Sequence, residues 1–183
     1  MKLKLMLSMA VIAALSLSSC EKFSDKKFST TIPVIIEVNA SEATSEGIAI
    51  DLTNIADVLA TNADLAEVQG KIKSYELVQI KYKVYEYYNA PETNFSGTLG
   101  FGNKNAETAM TTHALTDFNL KTSMDATDKS VISFTTDDAA KIAQYFKETN
   151  ALKVFLNGNL SQGPAVFKMY LEVDIDAIAE VEK

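Results

Sequence analysis

The sequence predicts a mainly β domain, an antiparallel β-sandwich that is Ig-like in general architecture, with about eight strands and one or two short helices. Three observations predict it. Apolar residues recur at every second position in segment after segment, the period of a strand with one buried face. Gly, Pro and Asn punctuate those segments at short intervals. Only one stretch, from Thr135 to Asn150, carries a sustained helical period.

The elements follow in order. Phe28, Thr30, Ile32, Val34, Ile36 and Val38 share one face of a first strand. Pro33 lies on its other face and lacks an N–H, which suits an edge strand or a bulge. Ile48, Ile50 and Leu52 form a short second strand. Residues 54–71 are rich in Ala, Leu, Asp and Glu, with Asn54 and Asn62 as candidate caps, and read as one or two helical turns closed by Gly70. From Ser74 to Tyr88, Val78, Ile80, Tyr82 and Val84 face one way. Gln79, Lys81, Lys83, Tyr85 and Tyr87 face the other, with a bulge near Leu77.

Phe95, Gly97, Leu99 and Phe101 alternate in a Gly-rich partner strand in which Gly100 and Gly102 mark weak spots or close contacts. Ala114, Thr116, Phe118 and Leu120 form the inner face of the next strand, with His113, Asp117 and Asn119 on its polar face. Residues 125–129 read as a turn and 131–134 as a brief strand. Thr135 precedes Asp138 by three positions, close to a capping box. Ala139, Ile142, Ala143 and Phe146 then form the stripe of a helix that Asn150 ends. The segments around Leu152–Leu160 and Phe167–Ile175, separated by Gly163-Pro164, read as a hairpin.

The N-terminus differs in kind. Lys2 and Lys4 precede an apolar run from Leu5 to Leu17, too short for the ~20 residues of a membrane-spanning helix and suited to a secretory signal. The run ends in Leu17-Ser18-Ser19-Cys20, which resembles the lipobox of bacterial lipoproteins. The resemblance implies cleavage before Cys20 and lipidation of its thiol, giving a domain attached to a membrane by acyl chains. A plain signal peptide with an incidental Cys is the alternative. Cys20 is the single Cys, so no intramolecular disulfide exists for it to join. Glu21 in place of Asp favours the outer membrane under the enterobacterial sorting rule that the resemblance brings with it. The expected organisation is a signal over 1–19, the lipidated Cys and a hydrophilic tether over 20–27, and one domain over 28–183. The charged tether is similar to those of surface lipoproteins in Bacteroidota, or is an ordinary spacer.

Composition bounds the chemistry. Removing residues 1–19 from 183 leaves 164, enough for one domain with a real core. Of 17 basic residues, Lys2 and Lys4 leave with the signal, and the remaining 15 against 24 acidic residues give −9. Such a surface repels phosphate backbones, so no nucleic-acid partner is expected. The chain has no Arg and no Trp, and His113 is its single His. It therefore lacks bidentate anion clamps and multi-His or multi-Cys metal sites. No cofactor is expected, and no nucleophile, phosphate-loop or zinc-protease motif occurs.

The row Glu172, Asp174 and Asp176 reads as a solvated strand face, with Ca²⁺ binding or paired-carboxylate hydrolysis as sharper alternatives. The candidate binding residues are Tyr85 and Tyr87, with Lys81 and Lys83 on the same face, where exposed aromatics beside polar donors suit a sugar ring or a protein partner. Phe155 would extend that surface if its strand were a neighbour. The leading expectation is a non-enzymatic binding or assembly module in the cell envelope. A glycan-binding accessory protein using the Tyr face is the alternative, and a carboxylate-dependent hydrolase the third reading.

Overall fold

The structure, a computed structural model, describes residues 23–40, 48–88 and 92–182. The proposed signal, Cys20 and the start of the tether lie outside these residues. Eight antiparallel strands form two four-stranded sheets. They are β1 (Phe23–Ala40), β2 (Ile48–Asp57), β3 (Ile72–Tyr88), β4 (Asn94–Asn103), β5 (Thr111–Asn119), β6 (Ser130–Ile132), β7 (Ala151–Leu160) and β8 (Ala165–Glu182). Sheet A has the order β1-β8-β3-β6 and sheet B the order β2-β7-β4-β5. The expected β-sandwich is thus present.

Its connectivity has a simple rule. β1 pairs with β8, β2 with β7, β3 with β6 and β4 with β5. This is a long antiparallel ribbon folded back between β4 and β5 and then wound up, the arrangement of a jelly roll. Winding places β3 against β8 and β4 against β7, which turns two ribbons into two sheets. The inner faces bury Ile32, Val34, Ile36 and Val38 of β1, Met169, Leu171 and Val173 of β8, and Leu152, Val154 and Leu156 of β7. The alternation read from the sequence is the alternation of this core.

Among the described residues four α-helices, α1 (Val58–Thr61), α2 (Ala63–Glu67), α3 (Leu120–Asp125) and α4 (Thr136–Thr149), lie at the ends and flank of the sandwich. α4 begins as expected: Thr135 Oγ1 accepts the Asp138 N–H at 3.1 Å, and Asn150 ends the helix with φ 53°. Ile142, Tyr145 and Phe146 seat it on the core. Among the described residues no helix is long and apolar enough to cross a membrane.

Several local expectations change. β1 starts at Phe23, so residues 23–27 of the expected tether pair with β8 residues 178–182. Residues 54–57 continue β2, because pairing with β7 outweighs their modest helix propensity. Asn54 is therefore no cap, and its amide instead donates to the Ile35 carbonyl of β1. Asp57 and Asn62 cap α1 and α2. The strands flanking Gly163-Pro164 are not a hairpin, because β7 belongs to sheet B and β8 to sheet A. The bend carries the chain across the sandwich. β5 is out of the expected phase at its start: Thr111 and Leu115 are buried while Ala114 and Thr116 are exposed. Asp117, at φ 48°, and the register shift beside Gly97 reverse the phase before Phe118. His113 is accordingly directed between the sheets, its ring 6.1 Å from that of Tyr82, and desolvation holds its pKa below the usual 6.5.

Candidate functional site

The outer face of sheet A brings together two sets of residues that are far apart in the chain. Register places Lys168 between Glu37 and Glu86, Tyr170 between Ile35 and Lys83, Glu172 between Pro33 and Lys81, and Asp174 between Thr31 and Gln79. The Tyr/Lys surface of β3 and the carboxylate row of β8 are therefore one surface.

Most charges on this face are consumed by their neighbours. Lys168 bridges Glu86 at 3.1 Å and Glu37 at 3.3 Å. Asp174 accepts from Thr31 at 2.5 Å, from Gln79 at 2.9 Å and from Lys81 at 3.2 Å. Asp176 accepts from Ser29 at 2.5 Å and pairs with Lys27 at 2.6 Å. Glu172 pairs with Lys129. Burial pushes the Asp174 and Asp176 carboxyls up, but these donors outweigh it and hold both below the ordinary 3.8. Neither is favoured in the protonated form that a general acid requires. Among the described residues no group of three His, Cys, Asp or Glu side chains is placed to hold a metal ion.

Between the ladders sits an apolar gap. Ile35, Tyr85 and Tyr170 line a shallow hollow of about 400 Å³. The Tyr85 and Tyr170 rings meet edge to face at 6.1 Å, and Lys129 Nζ stands 5.0 Å over the Tyr170 ring. Ile35 and Tyr85 are each 40% exposed. Tyr85 owes its position to a bulge: Val84 pairs with Met169 and Glu86 with Lys168, leaving Tyr85 as the extra residue.

That bulge separates the residues expected to act together. It returns Tyr87 to register with Phe167, so Tyr87 packs against the core and does not share the face of Tyr85. Lys81 is occupied by Asp174, and Lys83 donates to the Ala126 carbonyl. Tyr85 instead keeps company with Ile35 and Tyr170. Ile35 was legible only as an apolar residue on the polar side of β1. Tyr170 stood in the outward row of β8, but the pairing with Tyr85 was not legible. Phe155 does not extend the surface. It lies on sheet B, is 2% exposed, and is covered by Ala109 and the neighbouring loop.

No family model matches the chain, and no curated protein matches it. Among solved structures it is similar to that titled Desmodium yellow mottle tymovirus, with 14% identity, a TM-score of 0.37, and coverage of 86% of this chain and 85% of the other. It is also similar to a structure of turnip yellow mosaic virus, with 6% identity, a TM-score of 0.40, and coverage of 85% and 96%. At TM-scores below 0.5 these likenesses carry no inference about this chain.

Proposed function

We propose that the chain is an envelope lipoprotein, anchored in the outer membrane through lipid on Cys20, that acts as a non-enzymatic binding or assembly module. Its contact surface is the Ile35–Tyr85–Tyr170 hollow, and its partner on that surface is a protein. The observation that carries this reading is the contrast on one sheet face: ion pairs and hydrogen bonds occupy the flanking polar groups, while Ile35 and Tyr85 stay exposed beside the half-buried Tyr170. Exposed Tyr beside aliphatic surface is the composition of protein-binding anchors. A sugar would need polar donors beside the rings, and Lys81 and Lys83 are already engaged.

The geometry suits an anchored module. Three residues from Cys20 to Phe23 span at most about 10 Å, so the Phe23–Glu182 end of sheet A would sit close to the bilayer. The Ile35–Tyr170 row lies twelve positions further along β1, about 40 Å away at ~3.3 Å per residue. The hollow would then face the envelope space, clear of the headgroups.

The test expresses the protein in a diderm bacterium beside Cys20→Ala and Tyr85→Ala/Tyr170→Ala variants, and follows mass, membrane partitioning and crosslinking to envelope proteins. A lipid-modified N-terminal Cys, lost in Cys20→Ala, supports the anchor. A specific crosslink lost in the Tyr variant, with lipidation intact, supports the surface. An unlipidated soluble wild type sinks the first, and a crosslink indifferent to the Tyr substitutions sinks the second.

A further inference from the structure

The opposite face of the molecule has a different chemistry. The outer side of sheet B presents Asp51, Asn157, Thr98 and Ala114 in one cross-strand row, and Ala49, Asn159 and Ser96 in the next. These side chains are short and, apart from Asp51, uncharged. Whereas sheet A pairs its polar side chains with one another, here Asp51, Thr98, Asn157 and Asn159 hydrogen-bond no other side chain among the described residues. Ser96 is bonded to Asp117.

One edge of this field is walled. The segment between β4 and β5 folds back over the sheet, and Gly100 and Gly102 permit it. A Cβ on Gly100 would stand 2.3 Å from Ala109 Cβ, and one on Gly102 2.8 Å from Ala106 Cβ. Lys153 donates to the Ala106 carbonyl at 2.9 Å and holds the segment down. Between this wall and β2 lies a cleft of about 510 Å³, whose lining includes Asp51, Thr53, Glu107, Phe155 and Asn157. Its size is within the range of roughly 300–1,000 Å³ common to small-ligand sites.

From this arrangement we infer that the cleft on sheet B binds a neutral glycan, independently of the hollow on sheet A. The chemistry selects the class. Amides and hydroxyls offer both donors and acceptors, as the hydroxyls of a saccharide do. Asp51 and Glu107 repel phosphates and anionic sugars, and Lys153, the cation beside them, is committed to Ala106. A protein partner would want an exposed apolar anchor, and Phe155, the large apolar side chain of the cleft, is covered.

The test is native affinity electrophoresis through gels containing soluble starch, mixed-linkage β-glucan, xylan or galactomannan, with polygalacturonate as the anionic comparison. At least one neutral polysaccharide should retard the protein, and polygalacturonate should not. Asp51→Ala/Asn157→Ala should weaken that retardation about tenfold or more, the loss of two or more hydrogen bonds, with Tyr85→Ala behaving as wild type. Thr53→Val, which removes a hydroxyl from the cleft lining and keeps a β-branched side chain, gives an independent reading if the double variant melts early. Migration unaffected by all four neutral polymers, retardation by polygalacturonate, or retardation indifferent to the Asp51/Asn157 and Thr53 substitutions would each overturn the inference.

Discussion

Gly158 and Gly97 face each other where β7 crosses β4, and their lack of side chains lets the two strands and the Phe95 ring meet. A Cβ on Gly158 would stand 2.4 Å from the Ser96 carbonyl oxygen, 2.6 Å from Gly97 Cα and 2.7 Å from Phe95 Cζ. The first two are backbone atoms of the neighbouring strand, so relief requires the strand to move. Overpacking of this kind costs about 1–3 kcal/mol, and backbone contacts push Gly158→Ala toward the upper end. Lost freedom of the unfolded chain returns about 0.4–1 kcal/mol. The net loss is about 2 kcal/mol, a fall in Tm of roughly 4–8 °C for a domain of this size. Gly70→Ala is the matched comparison. No heavy atom lies within 4 Å of its added Cβ and no described Gly has positive φ, so only the unfolded-state term acts and Tm should rise by about 1–4 °C. Thermal melts by circular dichroism measure both. Equal shifts for the two substitutions, or a Gly158→Ala protein as stable as wild type, would refute the packing argument.

Acid should loosen sheet A at its polar ladder. Asp174 has a folded pKa below 3.8, so its contribution is complete above that value and disappears as pH falls through the folded one. Asp174→Asn should therefore be less stable than wild type at pH 7, with the two curves converging as pH falls below 3.8 in urea titrations; parallel curves would exclude the ladder. At the start of α4, Thr135→Ala removes the oxygen that accepts the Asp138 N–H and should cost about 1 kcal/mol, read as a lower urea midpoint at unchanged slope.

What the sequence made legible was local. The alternation of Ile32, Val34, Ile36 and Val38 follows from one strand and one buried side, and Pro33 correctly marked β1 as an edge. The Thr135 cap needs only residues three apart. What stayed hidden depended on partners. β7 and β8 each read as strands, but their separation into different sheets is a property of the wound ribbon. Asp117 and Tyr85 each insert a residue into a ladder, and a one-residue slip exchanges the two faces of everything beyond it. His113 and Tyr87 were placed on the wrong faces for that reason. The Ile35–Tyr170 contact needed the register of strands that begin 142 positions apart in the chain.

The pairing of first strand with last also orders events during synthesis. β8 lies between β1 and β3, so sheet A has no middle until the final eighteen-residue strand has left the ribosome. Ser29 must wait for Asp176, 147 positions later, and contacts so distant make closure slow. Until then β1 lacks β8, its neighbour in the sheet, and the growing chain remains threadable. A premature stop between β3 and β8 would remove an inner member of a sheet rather than trim its rim, leaving β1 and β3 with open edges prone to pairing with other chains.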